Sequence, residues 1–149
     1  MVTRAAIVAE ALSWVGTPYK NLQNLKGPQG GVDCAYLLYS VALAVGCLDP
    51  RTPRPVYSPQ WHLHQHDERY RHALERAGCQ LAAWDDRHPG DILLVRFGHV
   101  ANHAAVLITR EDIVHADHRR GVLHQPIPPA WGPRIMAVYR FPGVEETAL

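Results

Sequence analysis

The sequence predicts an α+β domain, with helices in its first half and an antiparallel sheet in its second. Up to about residue 78, apolar side chains recur at helical spacing in segments that end at glycines. From Pro89 onward they fall into short β-type runs instead. Size is the third observation. A chain of 149 residues, 47% apolar and 19% charged, can build a real core for one domain over residues 1–149, which excludes global disorder. Helices first and strands afterwards is the order of an α+β chain.

The elements follow in turn. Ile7, Val8, Ala11, Leu12, Trp14 and Val15 give a helical stripe over residues 3–15, which Gly16 and Pro18 stop. Residues 17–32 are polar and glycine-rich, hence a loop. Asp33 is a good N-cap for a second helix from Cys34 to about Val45, closed by Gly46. That helix is apolar on nearly every side and is expected to be buried. Pro50, Pro53, Pro55 and Pro59 make residues 49–60 an extended crossing. A polar third helix is expected over residues 66–77, ended by Gly78. The strand candidates are residues 91–97, 103–109, 112–116, 121–125 and 134–141.

Charge and cysteine usage exclude several function classes. A net charge of +1 offers no cationic field for nucleic acid or an anionic membrane. No apolar run approaches the roughly 20 residues of a membrane span, and the N-terminus lacks a signal-peptide pattern. Synthesis in the cytoplasm is therefore the expectation. Cys34, Cys47 and Cys79 are odd in number and scattered, unlike a disulfide framework or a CxxC zinc site, and reduced thiols are expected. His62, His64 and His66 alternate and would share one face of a strand, but no partner Cys or carboxylate has fitting spacing, so no metal site is expected.

Cys34 carries the chemistry. It follows an N-capping Asp33 and opens a buried helix, where free N–H groups and the helix dipole favour a thiolate. The same N–H groups suit an oxyanion developing on an attacked carbonyl. A cysteine nucleophile needs a base and a group to orient that base. His103 opens the apolar run 104–108, and His115 closes the next run at 112–115. A hairpin through Arg110 and Glu111 makes the two histidines cross-strand neighbours at one edge of the sheet. His99 is a rival base, but it falls in the loop after Phe97. Arg119 and Arg120 read as a solvated bend, or as a site for substrate carboxylates. Trp131 lies between Pro129 and Pro133 and is expected to pack over the sheet edge or line a substrate groove.

Five blocks occur together in order: residues 13–19 (SWVGTPY), 31–34 (GVDC), 89–94 (PGDILL), 102–107 (NHAAVL) and 113–116 (IVHA). In this set the chain resembles the NlpC-like papain-fold cell-wall peptidases, over residues 5–141. The block 57–64 (YSPQWHLH) and the ending 134–142 are most similar to short members from phage tails and phage-derived gene transfer particles.

The resemblance implies a papain-like fold, with the Cys34 helix packed on a five- or six-stranded antiparallel sheet. It implies Cys34 as nucleophile, His103 as base and His115 as the orienting third member. Tyr19 matches a tyrosine beside the nucleophile, and Asp33 an acidic residue near the substrate's free amine. The implied substrate is a bacterial peptidoglycan stem peptide, cut next to D-glutamate or diaminopimelate, with no metal or organic cofactor. The implied setting is a tail hub or tip that opens the wall for DNA delivery. Ala35 and Tyr36 stand where the family has a small hydroxyl residue and glycine, and Ala105 where glycine is common. Two other readings stay open on the residues alone: an amidase or acyltransferase acting on another amide, and a structural tail-tip or wall-binding subunit whose site has drifted.

Overall fold

The computed structural model describes residues 1–54, 68–98 and 100–146. Helix α1 (Arg4–Leu12) starts where Thr3 Oγ1 accepts a hydrogen bond from Ala6 N at 3.1 Å. It ends earlier than its apolar stripe because residues 13–16 tighten into turns. In these, Trp14 N donates to Ala11 O and Val15 N to Leu12 O. A two-stranded ribbon follows, β1 (Asn24–Leu25) with β2 (Gly31–Val32). Gly30 is required there, since any Cβ would overlap the Leu25 carbonyl. Helix α2 (Cys34–Val45) ends at Gly46 in the left-handed conformation, φ 89°. Helix α3 (Arg69–Arg76) keeps Tyr70 and Leu74 buried on one face.

The sheet holds six strands: β3 (Gln80–Ala82), β4 (Ile92–Arg96), β5 (Ala101–Leu107), β6 (Asp112–Asp117), β7 (Gly121–Pro126) and β8 (Ile135–Arg140). Their spatial order is β3-β8-β4-β5-β6-β7, with every neighbouring pair antiparallel. Strands β4 to β7 form a meander, and β8 returns along the other side of β4. The expected α+β class and antiparallel sheet are both present. Strand β3 and the β1–β2 ribbon lie outside the predicted elements. Their two or three residues are too few for an alternating pattern, and they exist only through their pairing partners.

The sheet separates two layers of core. On one face, Ala104, Val106, Val114 and Ala116 pack with Ile7, Leu37 and Val41 of α1 and α2. On the other face, Leu93, Val95, Ala105, Leu107, Ile113 and Val138 gather around Trp131. Each large apolar side chain buried in this way contributes about 1.5–3 kcal/mol. The block 89–91 has a structural explanation. Asp91 is fully buried, takes Arg4 Nη1 at 2.8 Å on Oδ1, and accepts His88 N at 2.9 Å on Oδ2. Arg4 Nη1 also donates to Pro89 O at 2.9 Å, so the first helix is fastened to the start of β4.

One irregularity positions the site. Strands β5 and β6 pair only at Val106–Val114 and Leu107–Ile113. The β4–β5 register shifts between Val95 and Arg96, opposite the start of β5. The N-terminal half of β5 is thus released from β6, and the N-terminus of α2 arrives there.

Candidate active site

Asp33 fixes the start of α2. It is fully buried, and both carboxylate oxygens are engaged: Oδ1 accepts Tyr36 N at 2.9 Å, and Oδ2 accepts Leu22 N at 2.7 Å. The first bond is the N-cap read from the sequence. The second clamps the preceding loop at Leu22, a non-glycine residue held at φ 60°. Replacing Asp33 by Ala is expected to remove about 1 kcal/mol of capping and to orphan a backbone donor at a further 1–3 kcal/mol. Urea denaturation should therefore show a loss near 3 kcal/mol. A loss below about 0.5 kcal/mol, the level of an ordinary surface change, would remove the clamp from this account.

The Cys34 thiol meets β5 where that strand has left β6. Its Sγ–H donates to Asn102 O at 3.9 Å, while the Ala104 and Ala35 N–H groups and the Tyr70 hydroxyl offer the sulfur hydrogen bonds. Asn102 and Ala104 flank His103, so the nucleophile candidate lies against the backbone that carries the base candidate. Asn102 braces the turn ahead of it: its Nδ2 donates to Phe97 O at 2.7 Å, and its Oδ1 accepts Phe97 N at 3.0 Å. Tyr70 was not among the residues singled out from the sequence. Its spacing to Leu74 marks the buried face of an otherwise polar helix, which was the available signal.

His103 and His115 are in direct contact, with His103 Nε2 to His115 Nδ1 at 2.9 Å. The β5–β6 register makes them diagonal neighbours rather than an opposed pair. Alternation places both on the Trp131 face, two residues from Ala105 and Ile113 respectively. Trp131 stands edge-on to both rings, at 5.6 Å from His103 and 5.0 Å from His115. Phe97 lies 5.7 Å from the His103 ring and 5.8 Å from that of Trp131. Trp131 therefore packs over the sheet and encloses the histidine pair.

The electrostatics reverse one expectation. Burial, reinforced by the Asp33 charge, pushes the Cys34 thiol up to about 12, although Tyr70 and two backbone N–H groups pull the other way. A helix N-terminus is worth about 1 kcal/mol, or less than one pKa unit, whereas full desolvation reaches about 3–5 units. Desolvation wins. Burial also lowers His103 to about 3, helped by its neighbour His115 and opposed by Asp117. His115 is likewise lowered by burial. Burial thus favours a neutral Cys34 thiol and a neutral His103 imidazole over a preformed thiolate.

Tyr19 forms one wall. It bridges to Val32, and its ring lies 5.0 Å from that of His118. Burial raises its hydroxyl pKa, as do the nearby Cys34 and Asp33 charges. The β6–β7 turn is pressed against this wall at Gly121, φ 79°, where a Cβ would lie 2.6 Å from Thr17 O. Arg120 in that turn pairs with Asp117 at 3.2 Å, the solvated-bend reading.

The remaining candidates divide as follows. His99, His62, His64, His66 and the block 57–64 lie outside the described residues. Among the described residues, no cluster of three or more His, Cys, Asp or Glu side chains could hold a metal ion. Cys47 and Cys79 are free thiols, and burial pushes Cys79 up to about 12. Tyr36 is buried in the helix-side core, edge-on to Tyr39 at 6.0 Å.

No family model matches the sequence, and a search of curated proteins finds no match. Solved structures do match. The P60 domain of an antigen from M. avium subspecies paratuberculosis aligns with a TM-score of 0.60 at 17% identity, over 93% of each chain. The NlpC/p60 domain of peptidoglycan hydrolase SagA aligns with a TM-score of 0.54 at 24% identity, over 92% of this chain and 98% of that one. A lipoprotein-like protein of the NLP/P60 family from Staphylococcus aureus aligns at 0.58 and 18% identity. That match covers 93% of this chain but 41% of the staphylococcal protein, so the chain spans about two fifths of its length. This chain thus has the α+β, papain-like fold of NlpC/P60 domains, with a six-stranded antiparallel sheet.

Proposed function

We propose that this chain is a cysteine peptidase that hydrolyses an amide bond in peptidoglycan stem peptides. The observation that carries the reading is the convergence at the start of β5. There the Cys34 thiol lies against the backbone flanking His103, and His103 is bound to His115 at 2.9 Å. In the reaction, Cys34 Sγ attacks the amide carbonyl while its proton passes to His103, since the resting pair is neutral. His103 then gives that proton to the leaving amine, producing a thioester. Water, deprotonated by His103, hydrolyses the thioester and restores the thiol. Tyr36 N–H is taken by the Asp33 cap, so it is the Cys34 N–H at the start of α2 that faces the developing oxyanion, with the Tyr19 hydroxyl beside it. Asp33 contributes negative charge near the substrate's free amine.

The substrate class rests on the resemblance of the sequence blocks and on the fold shared with domains such as that of peptidoglycan hydrolase SagA. Within this reading the bond cut lies next to D-glutamate or diaminopimelate. The enzyme is made in the cytoplasm and built into a phage-like tail, beside hub or tip proteins, where it opens the wall for DNA delivery. What supports the tail setting is the sequence at 57–64 and 134–142.

The test is digestion of purified peptidoglycan by the native chain and by Cys34→Ala, with fragments identified by mass spectrometry. New stem-peptide fragments from the native chain alone are expected, and their masses name the bond. Equal release by both chains would sink the mechanism, and no release by either would favour the structural subunit.

A further inference from the structure

We infer that Gln125 is a positioning residue for the histidine pair, its amide oxygen accepting the Nε2 proton of His115 so that His103 presents a bare Nδ1. The inference rests on the hydrolase reading for its kinetic part only. The β6–β7 register sets Gln125 opposite Ile113 and Leu123 opposite His115, which makes Gln125 a diagonal neighbour of His115 on the same face. His115 is 3% exposed, and its buried Nε2 has no hydrogen-bond partner at ordinary distance among the described residues. Gln125 offers the His115 ring a hydrogen bond, and Nδ1 is already engaged with His103, which leaves Nε2 for it.

Proton arithmetic makes that nitrogen decisive. One proton lies between His103 Nε2 and His115 Nδ1. If His115 supplies it, His103 must carry its own proton on Nδ1 and cannot accept one from a thiol. If His103 supplies it, Nδ1 of His103 is bare and His115 is protonated at Nε2. The second arrangement alone gives a base, and it requires an acceptor at His115 Nε2. When His103 gains the thiol proton the requirement is unchanged, because His103 still donates through Nε2.

Gln125 is oriented to be that acceptor. Arg120 Nη2 lies 3.4 Å from Gln125 Oε1 and is itself held by Asp117 Oδ2 at 3.2 Å. A guanidinium only donates, so it selects the amide oxygen rather than the amide nitrogen for this side of Gln125. The chain Asp117–Arg120–Gln125–His115–His103 therefore runs from the surface turn to the base.

Gln125→Leu keeps the shape and removes the acceptor, whereas Gln125→Glu keeps an acceptor. Long-range proton–nitrogen NMR of the full chain, labelled with nitrogen-15, reads the His115 tautomer directly. The native chain and Gln125→Glu should show His115 protonated at Nε2. Gln125→Leu should show a mixture or the opposite tautomer. On stem peptides, kcat should fall about tenfold in Gln125→Leu with KM unchanged, as expected for an orphaned buried donor worth about 1.4 kcal/mol, and recover in Gln125→Glu. A His115 tautomer that is the same in Gln125→Leu as in the native chain overturns the inference, whatever the activity. An inactive native chain whose tautomer still responds to Gln125→Leu leaves Gln125 in its role and removes the hydrolase reading instead.

Discussion

Replacing His103 by Ala is expected to lower kcat/KM on a stem-peptide substrate by about 10³-fold or more, the range of a lost general acid–base group. Cys34→Ala should lose at least as much, and the double variant should lose no more than the worse single one. The reason is that, in the proposed mechanism, the two groups share one proton. With a thiol near 12 and an imidazole near 3, neither is charged in the resting protein, and the sulfur becomes a nucleophile only as its proton moves to nitrogen. Removing either partner abolishes the same step, so the effects are not additive. His115→Ala should cost less, on the order of 10²-fold, because it orients the base rather than exchanging the proton. Steady-state kinetics on a purified muropeptide decide this. Losses that multiply in the double variant would mean that Cys34 and His103 act in separate steps.

The parts of this site that were legible in the sequence are those set by local rules. Asp33 as N-cap, Gly46 as helix end and the buried character of α2 follow from side-chain chemistry within a few residues. The closeness of His103 and His115 follows from two adjacent strands joined by a short turn. What was not legible depends on tertiary placement. Strand β3 exists because β8 offers it an edge, and Tyr70 reaches the thiol because α3 packs against β5. The ionisation of Cys34 was the largest reversal. Sequence places a cysteine at a helix N-terminus, but how deeply it is buried depends on the sheet closing over it, and burial outweighs the dipole. The sequence blocks themselves turn out to mix two kinds of constraint. Asp91 is a buried bracket for Arg4 and His88, while residues 102–107 carry the proposed base and the backbone that meets Cys34.

A neutral buried pair also has a thermodynamic signature, and it is the second large effect. Between pH 6.5 and about pH 3, unfolded His103 binds a proton that the folded protein refuses. The unfolded state then holds more protons, so stability falls as pH falls through that window, by up to about 1.4 kcal/mol for each pH unit. Cys34 acts in the opposite range. Between pH 9 and about pH 12 the unfolded thiol ionises while the folded one stays protonated, so stability falls as pH rises. The site alone thus makes the domain most stable between these two windows. Urea denaturation across pH should show a shallower acid limb in His103→Gln, and a shallower alkaline limb in Cys34→Ala, than in the native chain. Cys79, also pushed up to about 12 by burial, keeps part of the alkaline limb in every Cys34 variant. If instead the site held a thiolate–imidazolium pair, His103→Gln would flatten the acid limb too, and the difference would lie in the absorbance. The ultraviolet thiolate absorbance of the native chain would then be present at neutral pH. A shallower acid limb together with no such absorbance requires the proton to rest on sulfur, and attack on the amide must then be coupled to its transfer to His103.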